Sequence, residues 1–509
     1  MTAATGPATP PPALPVEELG RVHLVGVGGA GVSVVARLLA ARGADVQGSD
    51  AVAGPALEAL RADGVRVWVG HDATHVVGPD GTRLVDTVVV SSAVRETNPE
   101  LAAARAAGIR VVHRSQALAS LMLDRRSVAV AGAHGKTTTS AMVATVLRAC
   151  GVDASFAIGG TVRVRDADGR ESAVPGGHLG SSDVLVAEAD ESDGSFLNYA
   201  PTVAVVTNVE PDHLDHYGSQ AAFEKAFVEF AGRIVPGGTL VACADDAGSA
   251  ELAARHRASG GSVVTYGEAD GADVRVREVE VGAGTVSAVV SGGPLGDAPH
   301  ELRLAVPGAH NALNATAAVV TAVLLGAEPG AAVEGAATFV GTGRRFEPKG
   351  EADGVRVFDS YDHHPTEVAA LLHAARPVAG DGRIVVLFQP HLYSRTRIFA
   401  DRFAAALALA DEVVVTGVYR AREDVDPTVG PRTITDLLER TGSGGGVRAV
   451  DDRLEAAHAA AALARPGDLV LTVGAGDVTE LGPVILADLA ARGHGVASPP
   501  AAPGEETMG

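Results

Sequence analysis

Short apolar, β-branched runs alternate with Ala/Leu-rich stretches of helical period along most of the chain. The first set, "RVHLVGVG", "ADVQGSD", "RVWVG", "DTVVVSS" and "RVVHR", ends before Leu123. Strands separated by amphipathic helices predict a parallel sheet with crossover helices. A second set opens with "RRSVAVAG" and continues through "DVLVAEAD", "VAVVTNVE" and "GTLVACADD". It then turns polar and alternating in "SVVTYG", "DVRVREVEV", "TVSAVVSG" and "HELRLAVPG". That change of period predicts antiparallel strands added to an α/β core. A third set, "GVRVFDSYDHHP", "RIVVLFQPH", "DEVVVTGVY" and "DLVLTVGAG", ends each strand in polar or glycine residues, where open α/β sheets place their ligands. The pattern therefore predicts an α/β protein of three domains, 18–123, 124–340 and 341–490. A Pro/Ala-rich head, 1–17, and a tail, 491–509, are expected to be disordered.

Composition narrows the partners. The formal net charge of −21 leaves no basic field for nucleic acid or an anionic membrane, so any phosphate site must be a local pocket of backbone amides and a few basic side chains. Only Cys150 and Cys243 are present, too few for a disulfide framework and in keeping with a reducing compartment. No apolar run reaches the roughly 18 residues of a membrane span, and the first residues lack the basic and apolar regions of a signal peptide. A cytoplasmic protein acting on small molecules, with no membrane insertion, is expected.

Two glycine turns carry the chemistry. In "VAVAGAHGKTTTSAMVATVL" a strand runs into Gly132-Ala133-His134-Gly135-Lys136-Thr137-Thr138 and then a helix. Backbone N–H groups and a helix N-terminus so arranged surround a compact anion. Lys136 is placed to reach the β/γ-phosphates of ATP and the Thr137 hydroxyl to ligate Mg²⁺. The usual first glycine of such loops is replaced by Val130, so the loop is a shortened variant. The second turn, "GVGGAG", supplies Gly26, Gly28, Gly29 and Gly31 between a strand and a helix, with Asp50 ending the next strand. It specifies a diphosphate at a helix N-terminus, which a dinucleotide or a UDP-sugar satisfies equally. Two acidic clusters follow the lysine loop. "EADESD" presents Glu188 at a strand end, and "TNVEPDHLDHY" offers Asp212, His213 and Asp215; carboxylates suit Mg²⁺, and a neutral imidazole can join a second metal site.

With "SSAVRETNPE", "GAHNALNA", "GTGRRFE", "YDHHPTE" and "FQPHLYSRTR" added to these motifs, the chain resembles the Mur ligase family of peptidoglycan synthesis over about residues 20–490. The resemblance implies an N-terminal Rossmann-like domain, a central ATP-binding domain and a C-terminal Rossmann-like domain. It also implies an ATP-dependent ligase. The carboxylate of UDP-N-acetylmuramate takes the γ-phosphoryl of ATP, and the amine of L-alanine attacks the acyl phosphate, giving UDP-N-acetylmuramoyl-L-alanine, ADP and phosphate. By the same resemblance Lys136 is the phosphate-binding lysine, Thr137 and Glu188 hold one Mg²⁺ and His213 the other. Asn311 and Asn314 face the adenosine, although read alone they are a capped helix start. Arg345 reaches the γ-phosphate from the hinge before the C-terminal domain. Tyr361, His364, His391 and Arg395 form the alanine pocket, where a guanidinium can hold a carboxylate bidentately. The N-terminal glycine loop, Asp50, Ser91 and Ser92 match the UDP-binding loops.

The chain departs from the family pattern in one motif. Where relatives commonly carry Asp-Asp-Tyr-Gly-His-His-Pro, this sequence reads Asp359-Ser360-Tyr361-Asp362-His363-His364-Pro365. Asp359, at the end of a strand, is expected to cover the missing carboxylate, with Asp362 on a solvated turn. Leu392 stands where many members have a basic residue, leaving the alanine carboxylate to Arg395 with help from Arg397. The competing readings are a murein-peptide recycling ligase, a relative with weakened catalysis, and a dehydrogenase resting on the first glycine turn alone.

Overall fold

The computed structural model describes residues 13–492 apart from 166–167, 422, 441 and 443–444, and omits the side chains of 214 and 215. Most of the expected disordered head and tail lies outside the described residues, as does the Asp215 side chain. The part of the head that is described is ordered. Val16–Leu19 forms a short helix with Val16 and Leu19 buried, because these two apolar side chains join the core of the first sheet. At the other end, Arg492 donates to the carbonyls of Ala461 and of Ala464, the latter at 3.0 Å.

Two compact units divide the chain. The first comprises residues up to Thr342 other than 281–285 and 307–309, and the second comprises those two segments and everything from Gly343 onward. In the first unit a five-stranded, all-parallel sheet runs Arg66–Val69, Val46–Asp50, Val22–Val25, Thr87–Val90, Arg110–His113. Chain order reverses between Val22–Val25 and Thr87–Val90. The carboxyl ends of those two strands, carrying Gly26–Gly31 and Ser91–Ser92, flank the crevice where such sheets bind ligands.

A ten-stranded sheet follows, in the order Gly177–His178, Ser155–Ala157, Val184–Glu188, Arg126–Ala131, Val203–Val206, Thr239–Cys243, Ser262–Gly267, Val274–Val281, Val286–Ser291, His300–Leu304. The expectation of appended antiparallel strands holds for Val286–Ser291 and His300–Leu304, which pair antiparallel. It fails for "SVVTYG". Ser262–Gly267 pairs parallel with Thr239–Cys243 over five residues, because the helix Ala247–Ala258 makes a crossover between them. A small antiparallel sheet of Phe339–Thr342, Val162–Arg165 and Glu171–Val174 was not evident from the pattern.

The two large sheets of this unit share one apolar core. Leu24 from the N-terminal sheet and Leu39 and Leu118 from its helices belong to the same buried cluster as Leu185, Phe196 and Phe230. The helix Ala30–Ala41 approaches so closely that a Cβ on Gly177 would lie 3.2 Å from Val34 Cα. Each fully buried Leu or Phe is worth about 1.5–3 kcal/mol.

The second unit has a six-stranded sheet: Glu347–Ala352, Val355–Ser360, Leu469–Val473, Ile384–Phe388, Glu412–Thr416, Gly446–Val450. All pairs are parallel except the first. Both faces are buried, as the apolar clusters on either side show, which is why its strands read as continuous apolar runs. The edge strands Glu347–Ala352 and Gly446–Val450 did not announce themselves in the sequence; each is short and half-exposed, and Glu347–Ala352 is polar on alternate positions.

Candidate functional site

The lysine loop is built by two glycines and clamped by its neighbours. Gly132 has φ 137°, and a Cβ there would lie 2.1 Å from Thr207 Oγ1. Gly135 has φ 82° and starts the helix Lys136–Ala149. The next strand's end holds the loop: Asn208 Oδ1 accepts from the His134 amide at 3.1 Å, and the Thr207 hydroxyl (2.5 Å) and Asn208 Nδ2 (3.1 Å) donate to the His134 carbonyl. His134 Nε2 lies 3.0 Å from Glu210. Thr207, Asn208 and Glu210 were within reach of sequence reasoning, since all lie in "TNVEP", but nothing in that string distinguishes a loop clamp from a ligand set.

Lys136 is folded back over this loop. Its Nζ donates to Gly132 O at 2.7 Å and Ala133 O at 3.2 Å, and lies 2.9 Å from Glu191. Burial pulls the ammonium down, yet the carboxylates of Glu191, Asp190 and Glu188 hold it above its ordinary value. It stays a cation. Glu191, fully buried, was passed over in the sequence in favour of Glu188. Burial pushes its carboxyl up to about 7 against the pull of Lys136. Asp190 remains well below the usual range despite burial because Arg114 and Lys136 face it, Arg114 Nη2 donating at 2.6 Å. Arg114 belongs to the N-terminal sheet's last helix, Arg114–Met122, and a Cβ on Gly31 would lie 3.0 Å from its Nη1. One guanidinium thus spans the glycine loop and the acidic strand end.

The oxygen donors lie beside the lysine. Thr137 Oγ1 donates to Glu188 Oε1 at 2.9 Å, and the Gly159 amide donates to Glu188 Oε2 at 2.8 Å. His213, with φ 51°, brings Nε2 to 3.8 Å from Glu191 and 3.5 Å from Asp212. Asn311 and Asn314, both buried, lie on the helix His310–Leu324. Asn314 donates to Asn311 at 3.2 Å, and a Cβ on Gly135 would lie 3.0 Å from Asn314 Oδ1. The helix thus packs Asn314 against the lysine loop. Thr138 lies half-buried in the first turn of the helix Lys136–Ala149.

In the N-terminal crevice Asp50 does a structural job: its Oδ2 accepts from the Gly28 amide at 2.8 Å and so holds the glycine loop. Gly26 has φ 75° and Gly29 caps the helix Ala30–Ala41. Ser91 and Ser92 follow Thr87–Val90, half-buried and exposed respectively.

The second unit carries the remaining candidates. Asp359 is completely buried and engaged by Thr472 (2.8 Å), Thr479 (2.8 Å) and Arg344 (3.3 Å). The expectation of a solvated Asp362 is corrected. That residue is buried, with Arg345 Nη1 at 3.1 Å and the Ser360 hydroxyl donating at 2.5 Å, because the chain turns inward after Val355–Ser360 to begin the helix Pro365–Ala379. Burial pushes the Asp362 carboxyl up to about 6, with Arg345 opposing and Glu367 adding to the rise. Tyr361 packs under two guanidinium groups, Arg344 at 4.8 Å and Arg345 at 5.4 Å from its ring centre. His364 is fully buried and caps the helix, its ring accepting from the Thr366 amide at 3.4 Å. Its neighbour His363, not singled out in the sequence, meets the His391 ring edge-on at 5.8 Å. His391 Nδ1 lies 3.2 Å from Arg395 Nη1, and Arg395 is buried. Arg397 is exposed and pairs with Asp426.

Comparison with known proteins covers both units. Sequence models described as "Mur ligase family, catalytic domain", "Mur ligase middle domain" and "Mur ligase, glutamate ligase domain" match residues 21–126, 130–322 and 344–476. The chain is 58% identical to a UDP-N-acetylmuramate–L-alanine ligase of Kineococcus radiotolerans over 97% of its own length and 100% of that protein. It is 52% identical to one of Paenarthrobacter aurescens over 92% and 97% of the two chains. Among solved structures it is similar to the UDP-N-acetylmuramate-alanine ligase of Thermotoga maritima, with TM-score 0.73 and 30% identity over 93% and 99% of the two chains. A murein peptide ligase of Psychrobacter arcticus gives TM-score 0.68 at 25% identity over 92% and 98%.

Proposed function

The chain belongs to the Mur ligase family, and from that premise we propose that it joins L-alanine to the carboxylate of UDP-N-acetylmuramate with consumption of ATP, in cytoplasmic synthesis of peptidoglycan precursors. The observation that carries the reading is the Lys136 loop, clamped and charged beside the Thr137–Glu188 oxygen pair, in a chain similar from end to end to alanine-adding ligases.

A carboxylate is a poor acyl donor, because its leaving group would be an oxide. Transfer of the γ-phosphoryl of ATP to it turns that oxygen into a phosphate leaving group, and the alanine amine then displaces phosphate through a tetrahedral intermediate. Such a transfer depends on positioning and on neutralising charge. Lys136, kept cationic by the acidic residues around it, supplies charge at the loop. The loop amides and the N-terminus of Lys136–Ala149 cradle the phosphates. Asn311 and Asn314 are assigned to the adenosine, and Arg345 to the transferring phosphoryl group. Gly26–Gly31, Ser91 and Ser92 take the UDP moiety, and Tyr361, His391 and Arg395 the amino acid, with His364 holding the start of the helix behind them.

Thr137 and Glu188 fit one Mg²⁺ and His213 a second. Two are hard oxygen donors already within hydrogen-bond distance of each other, and the third is an imidazole beside two carboxylates. When bound, Mg²⁺ neutralises phosphate charge.

The test is phosphate release from ATP, measured with UDP-N-acetylmuramate and one amine at a time. Turnover is expected with L-alanine and not with the tripeptide L-alanyl-γ-D-glutamyl-diaminopimelate; the reverse would make the chain a recycling ligase. Under the same conditions His213→Ala should raise the Mg²⁺ concentration required, and an unchanged titration would remove His213 from the metal site.

A further inference from the structure

Arg345 lies between two residues in the left-handed region, Arg344 at φ 58° and Phe346 at φ 50°. Side chains seldom tolerate that conformation, and it persists only where surrounding contacts impose it. Those contacts are visible on Arg344, whose amide donates to Glu347 at 2.9 Å and whose guanidinium donates to Gly474 O (2.8 Å) and Gly476 O (3.1 Å). On the other side, the Phe346 amide donates to Ser360 Oγ at 3.2 Å, and the Ser360 hydroxyl donates to Asp362 Oδ2 at 2.5 Å. Arg345 Nη1 donates to Asp362 Oδ1 at 3.1 Å. The four groups close a ring: the backbone beside Arg345, the serine hydroxyl, the aspartate, and the Arg345 guanidinium itself.

The nearby Glu367 is a weaker partner. Its Oε1 is 3.4 Å from Arg345, while its Oε2 accepts from the His363 amide at 3.0 Å and the His364 amide at 3.2 Å. That carboxylate is committed to the start of the helix Pro365–Ala379. Asp362 is the carboxylate whose two oxygens divide between the guanidinium and the hydroxyl that fixes the turn.

We infer that Asp362 is a positioning residue for Arg345, aiming its guanidinium through a relay that requires a hydroxyl at Ser360. The inference rests on the assignment of Arg345 to the transferring phosphoryl group. A serine suits the relay because it accepts from Phe346 and donates to Asp362 at once. An aspartate at 360 could accept but, ionised, could not donate, and it would set a second carboxylate against Asp362.

Asp362→Asn keeps the shape and removes the charge. It should lower kcat by about 10- to 100-fold, the scale of a misaimed catalytic group, with the KM for L-alanine and the melting temperature little changed. In an Arg345→Ala background the same substitution should have no further effect, since a residue acting only through Arg345 cannot be lost twice. Ser360→Ala, which breaks the relay without touching a charge, should act in the same direction by a smaller factor and serves if the Asn variant fails to fold. Near-normal turnover of Asp362→Asn, or an equal loss in both backgrounds, overturns the inference and leaves the Arg345 assignment standing. Near-normal turnover of Arg345→Ala overturns both.

Discussion

At the scale of single residues, the loop from Gly132 to Lys136 holds a cation in place. Lys136 Nζ is held by two loop carbonyls and Glu191, so its position is set by the protein's own groups. Lys136→Ala should lower kcat by about 10²-fold or more while leaving the fold intact. Steady-state phosphate release and a circular dichroism spectrum check both halves of that statement, and turnover within a few-fold of the wild type would remove Lys136 from the site. The contrast between Asp359 and Asp362 belongs here too. Asp359 is the more conspicuous in sequence because it ends a strand, yet two threonine hydroxyls and Arg344 occupy its oxygens. Asp362, two positions later, faces Arg345. Strand position alone could not tell a side chain engaged in holding the sheet together from one turned toward Arg345.

At the scale of elements, the ends of the N-terminal strands are tied together by a buried carboxylate. Glu100, in the first turn of the helix Pro99–Ala106, accepts from Ser49 at 2.6 Å and lies 3.3, 3.1 and 2.6 Å from His23, His71 and His75. Burial alone would raise its pKa, but hydrogen bonds and charge from His23, with Ser49 and His75, hold it at about 2. A folded-state pKa below the unfolded value means that the unfolded chain binds the proton more readily. The stabilisation is therefore complete above about pH 4.5 and is lost as pH falls toward 2. Glu100→Gln should cost about 2–4 kcal/mol at neutral pH, and the gap between variant and wild type should narrow in acid. Urea unfolding of both proteins at the two pH values measures it; a gap independent of pH would show that Glu100 contributes shape and not charge.

At the scale of the molecule, the N-terminal and central sheets act as one body although they are separate sheets. Leu39 and Phe230 are both fully buried and belong to a single apolar cluster, and Arg114 adds an ion pair to Asp190 across the seam. Leu39→Ala and Phe230→Ala, each costing about 2–5 kcal/mol, should lower one and the same calorimetric transition by several degrees. Separate transitions, each responding to one substitution, would show that the two sheets unfold independently. Among the described residues no helix is long and apolar enough to cross a membrane.

What the sequence by itself determined was everything carried by period and by local stereochemistry. Apolar runs of strand length separated by helical stretches specified parallel sheets in three blocks, and the turn glycines marked backbone that a side chain does not fit, as at Gly132, where a Cβ would clash with Thr207 Oγ1. The types of residue at the strand ends pointed to candidates for phosphate chemistry, and the motifs to the family. Tertiary structure decided what those side chains face. Ser262–Gly267 alternates like an antiparallel strand but pairs parallel, because pairing direction is set by the connecting helix and not by period. Val16 looks like part of a disordered head until a core is there to receive it. Asp50 holds a loop amide, His364 caps a helix and Asp362 turns inward to Arg345. For Asp50 and Asp362 the deciding partner lies on another segment of the chain, and the energy that separates a ligand-facing carboxylate from a structural one resides in contacts that one-dimensional spacing does not encode.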